Sequence, residues 1–193
     1  GIQPRMATGF GLKALFAILG ETSAGKELEL LSKTLSPADF EVEGKNLAAE
    51  MQNFVPVIYA SSRNASIAYN WKIKFNETGK IPAFWNSLPE LNHNEMTGFD
   101  VKRSTKGLAE HFLFIFLSDP DDDPRIKKRM RVLEQLYQDR WLAVKRIELK
   151  GESLFHKIFS SLLLADWAAL YTAENYGVES EQVPMVEEFK KLI

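Results

Sequence analysis

The segment HFLFIFLS, residues 111–118, is short and strongly apolar, which predicts a buried strand. Two more segments have the same character, FVPVIYA at residues 54–60 and the stretch Trp141–Leu149. Segments with helical spacing lie between them, so strands and helices alternate along the chain. This alternation predicts an α/β fold, in which a mainly parallel sheet lies between two layers of helices as a three-layer sandwich.

The helices are predicted from apolar spacing and from cap signals. Ser36-Pro37 and Asp123-Pro124 each place an N-cap residue before a Pro at the first helical position, and Gly177 ends the longest helix. The predicted helices are Met6–Leu19, Ser36–Asn53, Arg63–Thr78, Asp123–Tyr137, Ser153–Tyr176 and Pro184–Ile193. We expect Thr22–Lys33 to be a short helix or a loop. We expect Gly79–Phe99 to be too irregular for a regular element.

The composition is that of one soluble globular domain, with 193 residues, 45% of them hydrophobic and 26% charged. A formal net charge of −2 gives no basic field that would attract nucleic acid or an anionic membrane. The chain has no Cys, which excludes disulfides and thiolate chemistry, and its three His are not spaced as a metal site. The first residues lack a signal-peptide pattern and no apolar run could span a bilayer, so we expect a cytoplasmic protein.

Two segments resemble phosphate-binding motifs. Gly20–Glu27 (GETSAGKE) matches most of the pattern GxxxxGK, but Glu27 stands where Ser or Thr would bind magnesium, and a helix precedes the motif instead of a strand. We expect a connecting loop between helices there. Ser61–Asn64 follows a predicted strand directly and could hold a phosphate at a helix N-terminus. A plain N-cap is the simpler interpretation of the same residues.

Charged residues in two places have structural interpretations. The acids of Asp119–Asp123 precede a helix and the bases of Arg125–Arg131 lie along it, which is typical of a solvated helix face. Asp166 lies within an apolar helical stretch, so we expect it to have a buried partner or to face a domain junction.

Glu77 and His93 are the best candidates for catalysis. Glu77 lies near a helix end, and His93 follows 16 residues later in a polar loop. A carboxylate base and an imidazole suffice to move protons between adjacent carbons and oxygens. A lone Glu and a lone His are common in proteins, so a structural role for both stays open at this point.

Three segments resemble one known family. The run FNETGKIPAFWNSLPELNHNE, residues 75–95, resembles the second sugar-isomerase (SIS) domain of bifunctional phosphoglucose/phosphomannose isomerases. Gln3–Ala7 (QPRMA) resembles the element at the junction of that family's two domains, and Leu163–Lys190 resembles its C-terminal helix, Gly-Val turn and final Lys. The resemblance covers nearly the whole chain and implies the flavodoxin-like SIS fold.

The resemblance also implies roles for four residues. Glu77 matches the general base that carries a proton between C1 and C2 through an enediol. His93 matches the residue that opens the sugar ring, usually supplied across a dimer interface. Arg5 matches the arginine that stabilises the enediolate, and Lys190 matches the C-terminal lysine that contacts sugar oxygens. No metal or organic cofactor is implied.

The family's architecture implies that residues 1–193 are the C-terminal SIS domain of a longer protein and that residues 1–35 are an interdomain helix and linker. The family's phosphate-binding loop belongs to the N-terminal SIS domain, which we expect to be absent from this chain. A start on Gly1 and the small number of predicted strands fit that expectation.

The implied function is an aldose–ketose isomerase of glycolysis and gluconeogenesis, acting as a homodimer on glucose 6-phosphate and fructose 6-phosphate. The resemblance to a bifunctional family makes mannose 6-phosphate a second candidate substrate. Glu179–Val183 (ESEQV) replaces the family's Asp-Pro-Thr-Pro-Val, which leaves the preference between glucose and mannose open. The alternatives are a non-catalytic SIS module that binds sugar phosphates and a half-domain that only dimerises.

Overall fold

A computed structural model describes residues 2–193 as a four-stranded parallel sheet with helices on both faces. The strands are β1 (Val55–Ser61), β2 (Phe84–Leu88), β3 (Phe112–Ser118) and β4 (Ala143–Glu148). Their order in the sheet is β2-β1-β3-β4. From β1, the chain thus adds β2 on one side of the sheet and then β3 and β4 on the other side. The register pairs Ile58 of β1 with Trp85 on one side and with Ile115 on the other.

Alternate side chains of the strands form two separate cores. Leu113, Ile115 and Leu117 point to one face, while Phe114 and Phe116 point to the other. All five are buried, as expected for a parallel strand that is covered on both sides. The strands predicted at residues 54–60, 111–118 and 141–149 are therefore confirmed.

Nine α-helices surround the sheet in the part of the chain that the structure describes. They are α1 (Thr8–Leu19), α2 (Thr22–Thr34), α3 (Glu41–Glu50), α4 (Ala65–Glu77), α5 (Leu91–Asn94), α6 (Lys106–Ala109), α7 (Pro124–Gln138), α8 (Leu154–Asn175) and α9 (Pro184–Leu192). Helices α3, α4 and α8 supply the core on one face, and α5, α6 and α7 supply it on the other. Short 3₁₀ turns at Pro4–Met6 and Pro37–Phe40 precede α1 and α3.

Of the two predicted N-caps, Asp123 is confirmed, whereas Ser36 makes no side-chain cap hydrogen bond and precedes only a 3₁₀ turn, so α3 begins at Glu41. The Asp123 carboxylate accepts a hydrogen bond from the Arg125 backbone N–H, and the Ser153 hydroxyl accepts one from the His156 N–H. Gly177 has a φ of 65°, the left-handed conformation that ends α8. The starts of α7 and α8 are thus fixed by side chains close to them in the sequence.

The prediction that Gly79–Phe99 holds no regular element is wrong, because β2 lies within it. Its sequence, FWNSL, has no alternating pattern, and its first two residues are exposed. β2 is an edge strand that pairs only with β1 among the described residues, and the β1 backbone supplies the hydrogen bonds that define it. The sheet therefore has four strands instead of the three that the sequence predicts.

The GxxxxGK-like segment is mostly helical. Gly20 ends α1 with a φ of 74°, and only Gly20 and Glu21 separate α1 from α2. Gly25 and Lys26 lie inside α2, so no loop is present to surround a phosphate. The segment expected to be a short helix or a loop is the full helix α2. Within residues 2–193, no helix is both long and apolar enough to cross a membrane.

Candidate functional site

Arg5 lies at the centre of a cluster near the C-terminal end of α4. Its side chain is 4% exposed, although it belongs to a short turn before α1. Its Nη1 is 3.3 Å from Glu77 Oε2, and its Nε donates to Thr78 Oγ1 at 2.9 Å. The structure thus brings two of the four predicted site residues, Arg5 and Glu77, into direct contact.

The same guanidinium group holds the loop that precedes α9. Nη2 of Arg5 donates to the carbonyl oxygens of Ser180 at 3.1 Å and Glu181 at 2.8 Å. A guanidinium has five N–H donors, and the bonds from Nε, Nη1 and Nη2 use four of them. One N–H on Nη1 has no acceptor within residues 2–193, and it lies beside Glu77, whose side chain is 43% exposed.

Lys80 holds the other side of this loop. Its Nζ donates to the Glu77 carbonyl oxygen at 2.5 Å and also to the Gln182 carbonyl oxygen. The Glu179 carboxylate accepts hydrogen bonds from the backbone N–H groups of Glu181 and Gln182, each at 2.6 Å. Burial, followed by the nearby charge of Arg5, lowers the pKa of Lys80. The loop is therefore attached to the end of α4 through both cations.

A buried ion pair lies next to Arg5. Lys74 Nζ is 2.5 Å from Asp166 Oδ1, and the Lys74 side chain is 3% exposed. Lys74 Nζ also lies 3.5 Å from the Arg5 carbonyl oxygen. Burial raises the pKa of Asp166, and the charges of Lys74 and Arg5 oppose that increase. The expected buried partner of Asp166 is confirmed, and it is Lys74.

Sequence reasoning missed Lys74 and Thr78 as parts of this cluster. Lys74 follows Ile67 and Trp71 on the buried face of α4 at helical spacing. A lysine on that face needs a buried anion, and Asp166 was the one acid already singled out in an apolar stretch. Helices α4 and α8 pack against each other. Pairing Lys74 with Asp166 from the sequence would have required knowledge of this packing.

His93 lies at the opposite edge of the sheet from Glu77. α4 connects the carboxyl end of β1 to the amino end of β2, so Glu77 is at the amino edge. His93 follows β2 in α5 and is therefore at the carboxyl edge. The two ends of the sheet are separated by the length of β2, which is about 13 Å at about 3.3 Å per residue. One copy of the chain does not bring Glu77 and His93 together.

The surroundings of His93 include three basic side chains. It lines a groove of about 730 Å³ between α5 and α7, together with Asn92, Arg125, Lys128 and Arg129. Below this groove, Glu95 accepts hydrogen bonds from the Tyr59 hydroxyl and, at 2.5 Å, from Asn86 Nδ2. These contacts fix the turn that carries His93.

The tyrosines under this turn are held in their neutral form. Burial, followed by the nearby Tyr137 and Glu95, raises the pKa of Tyr59. Burial raises the pKa of Tyr137 to about 12. Both hydroxyls therefore stay protonated at neutral pH, and Tyr59 can keep donating to Glu95.

Lys190 is exposed on α9. Its Nζ is 2.8 Å from the Glu187 carboxylate, its one ion-pair partner within residues 2–193. α9 begins at Pro184, two residues after Gln182, whose carbonyl is held by Lys80. Lys190 is therefore on a helix that starts beside the Arg5–Glu77 pair without contacting it.

The Ser61–Asn64 corner is closed by acidic side chains. The Ser61 hydroxyl donates to Asp122 Oδ1 at 2.7 Å, and Asn64 Nδ2 donates to Asp119 Oδ2 at 3.1 Å. Lys157 Nζ lies 2.8 Å from Asp119 Oδ1 and forms an ion pair with it. Two carboxylates at this corner would repel a phosphate group. The N-cap interpretation is also wrong, because neither Ser61 nor Asn64 makes a side-chain cap hydrogen bond and both side chains bind the acids instead.

No group of three or more His, Asp or Glu side chains within residues 2–193 is arranged to hold a metal ion. The Arg5–Glu77 cluster instead combines an accessible carboxylate, one spare N–H donor and a buried ion pair. Such an arrangement can accept a proton from a carbon acid and stabilise the oxyanion that forms.

The comparisons with known proteins identify the family. A family model described as "Bacterial phospho-glucose isomerase C-terminal SIS domain" matches residues 40–193. The chain is 33% identical to the bifunctional phosphoglucose/phosphomannose isomerase of Aquifex aeolicus over 195 residues, covering 99% of this chain and 58% of that protein. It is 32% identical to the protein of the same name from Thermoplasma volcanium, covering 100% of this chain and 61% of that protein. The chain thus spans about three fifths of the length of these relatives.

Solved structures share the fold at low sequence identity. Glucosamine-6-phosphate deaminase from Thermotoga maritima is 13% identical with a TM-score of 0.63, covering 95% of this chain and 55% of that one. A glucose-6-phosphate isomerase-like protein from Thermus thermophilus is 14% identical with a TM-score of 0.59, covering 74% of this chain and 46% of that one. These similarities establish the fold and confirm the predicted three-layer α/β architecture.

Proposed function

The chain belongs to the family of bacterial phosphoglucose isomerase C-terminal SIS domains, and on that basis we propose that it is the catalytic part of an isomerase acting on glucose 6-phosphate and fructose 6-phosphate. Mannose 6-phosphate is a second proposed substrate, because the curated relatives are named bifunctional phosphoglucose/phosphomannose isomerases. The proposed location is the cytoplasm, and the proposed role is in glycolysis and gluconeogenesis.

The observation that carries the proposal is the contact between buried Arg5 and half-exposed Glu77. In the open-chain aldose, the Glu77 carboxylate takes the proton from C2, which leaves an enediolate. The remaining N–H of Arg5 stabilises the negative charge on the oxygen. Glu77 then returns the proton to C1, and a proton moves between the two oxygens to complete the ketose. The protons move only between the sugar and these side chains, so the reaction needs no external oxidant or reductant.

Lys190 has a proposed supporting role as the cation that contacts the sugar oxygens. This proposal is supported by the position of α9, which starts two residues after the loop that Arg5 and Lys80 hold. Lys190 is exposed and its partner Glu187 is on the same helix, so the ammonium group can reorient at small cost.

The phosphate group of the substrate needs a binding site from elsewhere in the protein. The acids Asp119 and Asp122 occupy the corner at the carboxyl ends of β1 and β3, where ligands of parallel sheets usually bind. The curated relatives are longer than this chain by about two fifths of their length. We place the phosphate site in an N-terminal SIS domain in that additional part.

His93 is proposed to open the sugar ring in the site of a second subunit. The support is topological, because His93 and Glu77 lie at opposite edges of the sheet in one copy. A homodimer can bring the His93 of one copy to the Glu77 of the other. The non-catalytic alternative is not favoured, since the curated relatives are named as isomerases.

The first test is the conversion of fructose 6-phosphate to glucose 6-phosphate, followed with a coupled dehydrogenase. The assay uses the chain alone and the chain joined to the part of the Aquifex aeolicus relative that it does not match. In the joined protein, Glu77→Gln should lower kcat by about 10²–10⁴-fold, the usual contribution of a general base. Glu174→Gln, an exposed change near the end of α8, is the matched control and should leave kcat unchanged. Unchanged turnover in a folded Glu77→Gln protein would refute the assignment of the base.

A further inference from the structure

Two ion pairs lie side by side where α4 ends. Arg5 pairs with Glu77 at 3.3 Å, and Lys74 pairs with Asp166 at 2.5 Å. Both cations are almost fully buried, since 4% of the Arg5 side chain and 3% of the Lys74 side chain are exposed. The proposed reaction uses Arg5 and Glu77 and gives no part to the second pair.

Stability alone does not account for the Lys74–Asp166 pair. Removing two charges from water costs at least as much free energy as their attraction returns in many proteins, and apolar side chains of similar volume often serve as well. The neighbouring side chains on α4 and α8 are of that kind, because Trp71, Phe75 and Ala169 are completely buried. A charged pair among such neighbours indicates a role other than packing.

Asp166 is a competitor of Glu77 for Arg5. Asp166 and Arg5 line the same cavity of about 570 Å³. Burial raises the pKa of Asp166, and the charges of Lys74 and Arg5 both lower it. A buried carboxylate that loses its partner draws the nearest cation, because an unpaired buried charge is strongly destabilising. Without the Lys74 ammonium, that cation is Arg5.

Two other charged groups interact with Arg5, and both are engaged with backbone groups. Lys80 Nζ donates to two backbone carbonyl oxygens, and the Glu179 carboxylate accepts hydrogen bonds from two backbone N–H groups. Lys80 is therefore not available to replace Lys74 beside Asp166.

Lys74 also holds the Arg5 backbone. Its Nζ lies 3.5 Å from the Arg5 carbonyl oxygen, while Thr78 Oγ1 accepts a hydrogen bond from Arg5 Nε at 2.9 Å. Lys74, Glu77 and Thr78 have the i, i+3, i+4 spacing of one helix face. One face at the end of α4 thus contacts Arg5 at its carbonyl oxygen, its Nε and its Nη1.

We propose that Lys74 and Asp166 are positioning residues, and that Lys74 keeps Asp166 from drawing the Arg5 guanidinium away from Glu77. Neither residue touches the reacting atoms. Asp166 holds the Lys74 ammonium beside the Arg5 carbonyl oxygen, and the guanidinium stays on the carboxylate that carries the proton. The inference rests on the proposed function for the roles of Arg5 and Glu77, whereas the placement of Arg5 can be measured without substrate.

Removal of the two charges, one at a time, should have unequal effects on kcat in the joined protein. At about pH 8.5, which favours ionised Asp166, Lys74→Met should lower kcat by about 10–100-fold with KM within about twofold, because Arg5 acts on charge that develops in the transition state. Asp166→Asn removes the competitor and should keep kcat within about threefold of wild type. The double variant should recover to within about fivefold of wild type, since its neutral pair does not compete for Arg5.

Lys157→Met is the matched control. Lys157 is also buried and paired with an acid, Asp119, but this pair lies at the opposite edge of the sheet from Glu77. Its kcat should be unchanged in protein whose folding is confirmed by circular dichroism. If Lys74→Met folds poorly, Lys74→Gln takes its place, because it also leaves Asp166 without its lysine. Equal losses of kcat at the two positions, or wild-type kcat in a folded Lys74 variant, overturn the proposal.

The Nε–H of Arg5 reports its position in the chain alone. Because Nε donates to Thr78 at 2.9 Å, NMR should show a nuclear Overhauser contact between this proton and the Thr78 side chain, and Arg5→Lys identifies the resonance. Lys74→Met should weaken the contact by at least about fivefold, and the double variant should restore it. An unchanged contact in Lys74→Met overturns the proposal.

The two measurements separate this inference from the proposed function. If the joined protein is inactive while the Arg5 contact responds as expected, the proposed function fails and the positioning of Arg5 by Lys74 and Asp166 stands. If Glu77→Gln abolishes turnover while the Arg5 contact does not respond to Lys74→Met, only this inference fails.

Discussion

Asp122 has a buried carboxylate oxygen, Oδ2, to which no donor within residues 2–193 binds. Its other oxygen accepts a hydrogen bond from Ser61 at 2.7 Å. Burial raises the pKa of Asp122, and the charge of Asp119 adds to the increase. A raised pKa in the folded state means that ionised Asp122 destabilises the fold as the pH rises through that pKa.

Asp122→Asn should therefore raise the free energy of unfolding at pH 7 by about 1 kcal/mol, because it removes a buried charge without changing the shape. The gain should disappear below the ordinary carboxyl value of 3.8, where wild-type Asp122 is protonated in both states. Urea unfolding at pH 7 and pH 3.5 measures the difference. Asp39→Asn, an exposed change, is the control, and an Asp122→Asn gain that is equal at both pH values would contradict the electrostatic argument.

For single residues, the sequence predicts which side chains have the chemistry of a site, but not which partner each of them contacts. Glu77 and Asp166 stand out because a carboxylate near a helix end and one in an apolar stretch are unusual. The partners Thr78 and Lys74 come from packing between α4 and α8, which periodicity does not specify. The solvated-face prediction for Asp119–Asp123 is wrong for Asp119 and Asp122, which are buried because they bind Ser61, Asn64 and Lys157.

The crossing of α3 and α8 depends on a glycine. A Cβ at Gly44 would lie against the Trp167 side chain and 2.9 Å from the Ala168 backbone nitrogen. This close approach explains why α3 contains a residue of low helix propensity at its centre. The two helices form the largest helix–helix contact on their face of the sheet.

Gly44→Ala should lower the free energy of unfolding by about 2 kcal/mol, since the added methyl group forces α3 away from α8. For a chain of this length, that corresponds to a Tm roughly 4–8 °C lower in a thermal melt followed by circular dichroism. Gly25→Ala, with nothing within 4 Å of the new Cβ in α2, should instead raise stability by about 0.5–1 kcal/mol. Equal effects at the two positions would mean that helix propensity, and not packing, decides both.

The two central strands were predictable, whereas of the two edge strands only β4 was predicted. β1 and β3 carry continuous apolar runs because helices cover them on both sides. β2 (FWNSL) has one neighbouring strand and two exposed residues, so its sequence is not required to be apolar. β2 forms because it pairs with the backbone of β1, and its own sequence contains no pattern from which this pairing could be predicted.

On the scale of the whole molecule, residues 2–35 stand apart from the cores. Every buried residue of the two core clusters lies at position 47 or later, and the family match begins at residue 40. α1 and α2 contact each other and touch the rest mainly through α8. We propose that residues 1–35 are an interdomain segment that contributes Arg5 to the site.

A chain of residues 36–193 should still unfold in one cooperative transition with native-like circular dichroism, because both cores are retained. It should lose the isomerase activity, since Arg5 is absent. Urea titration and the coupled assay on the joined protein measure the two properties. Loss of cooperative unfolding would show that the α1–α2 pair belongs to the folded unit.

The proposed sharing of one site by two subunits makes a quantitative prediction. Glu77→Gln and His93→Ala each disable every site of a pure dimer. In an equal mixture of refolded subunits, half of the dimers are hybrids, and each hybrid has one site with both native residues. The mixture should therefore recover about a quarter of wild-type activity. No recovery would mean that Glu77 and His93 do not act in the same site.

Arg5 joins two parts of the chain that are made at very different times. Its partners Glu77 and Thr78 leave the ribosome about a hundred residues before Ser180 and Glu181, whose carbonyls follow only after the whole sheet and α8. The sheet can fold before the loop that completes the environment of Arg5 exists. A ribosome that stops short of residue 180 thus releases a polypeptide with a complete core but without the loop that Arg5 holds.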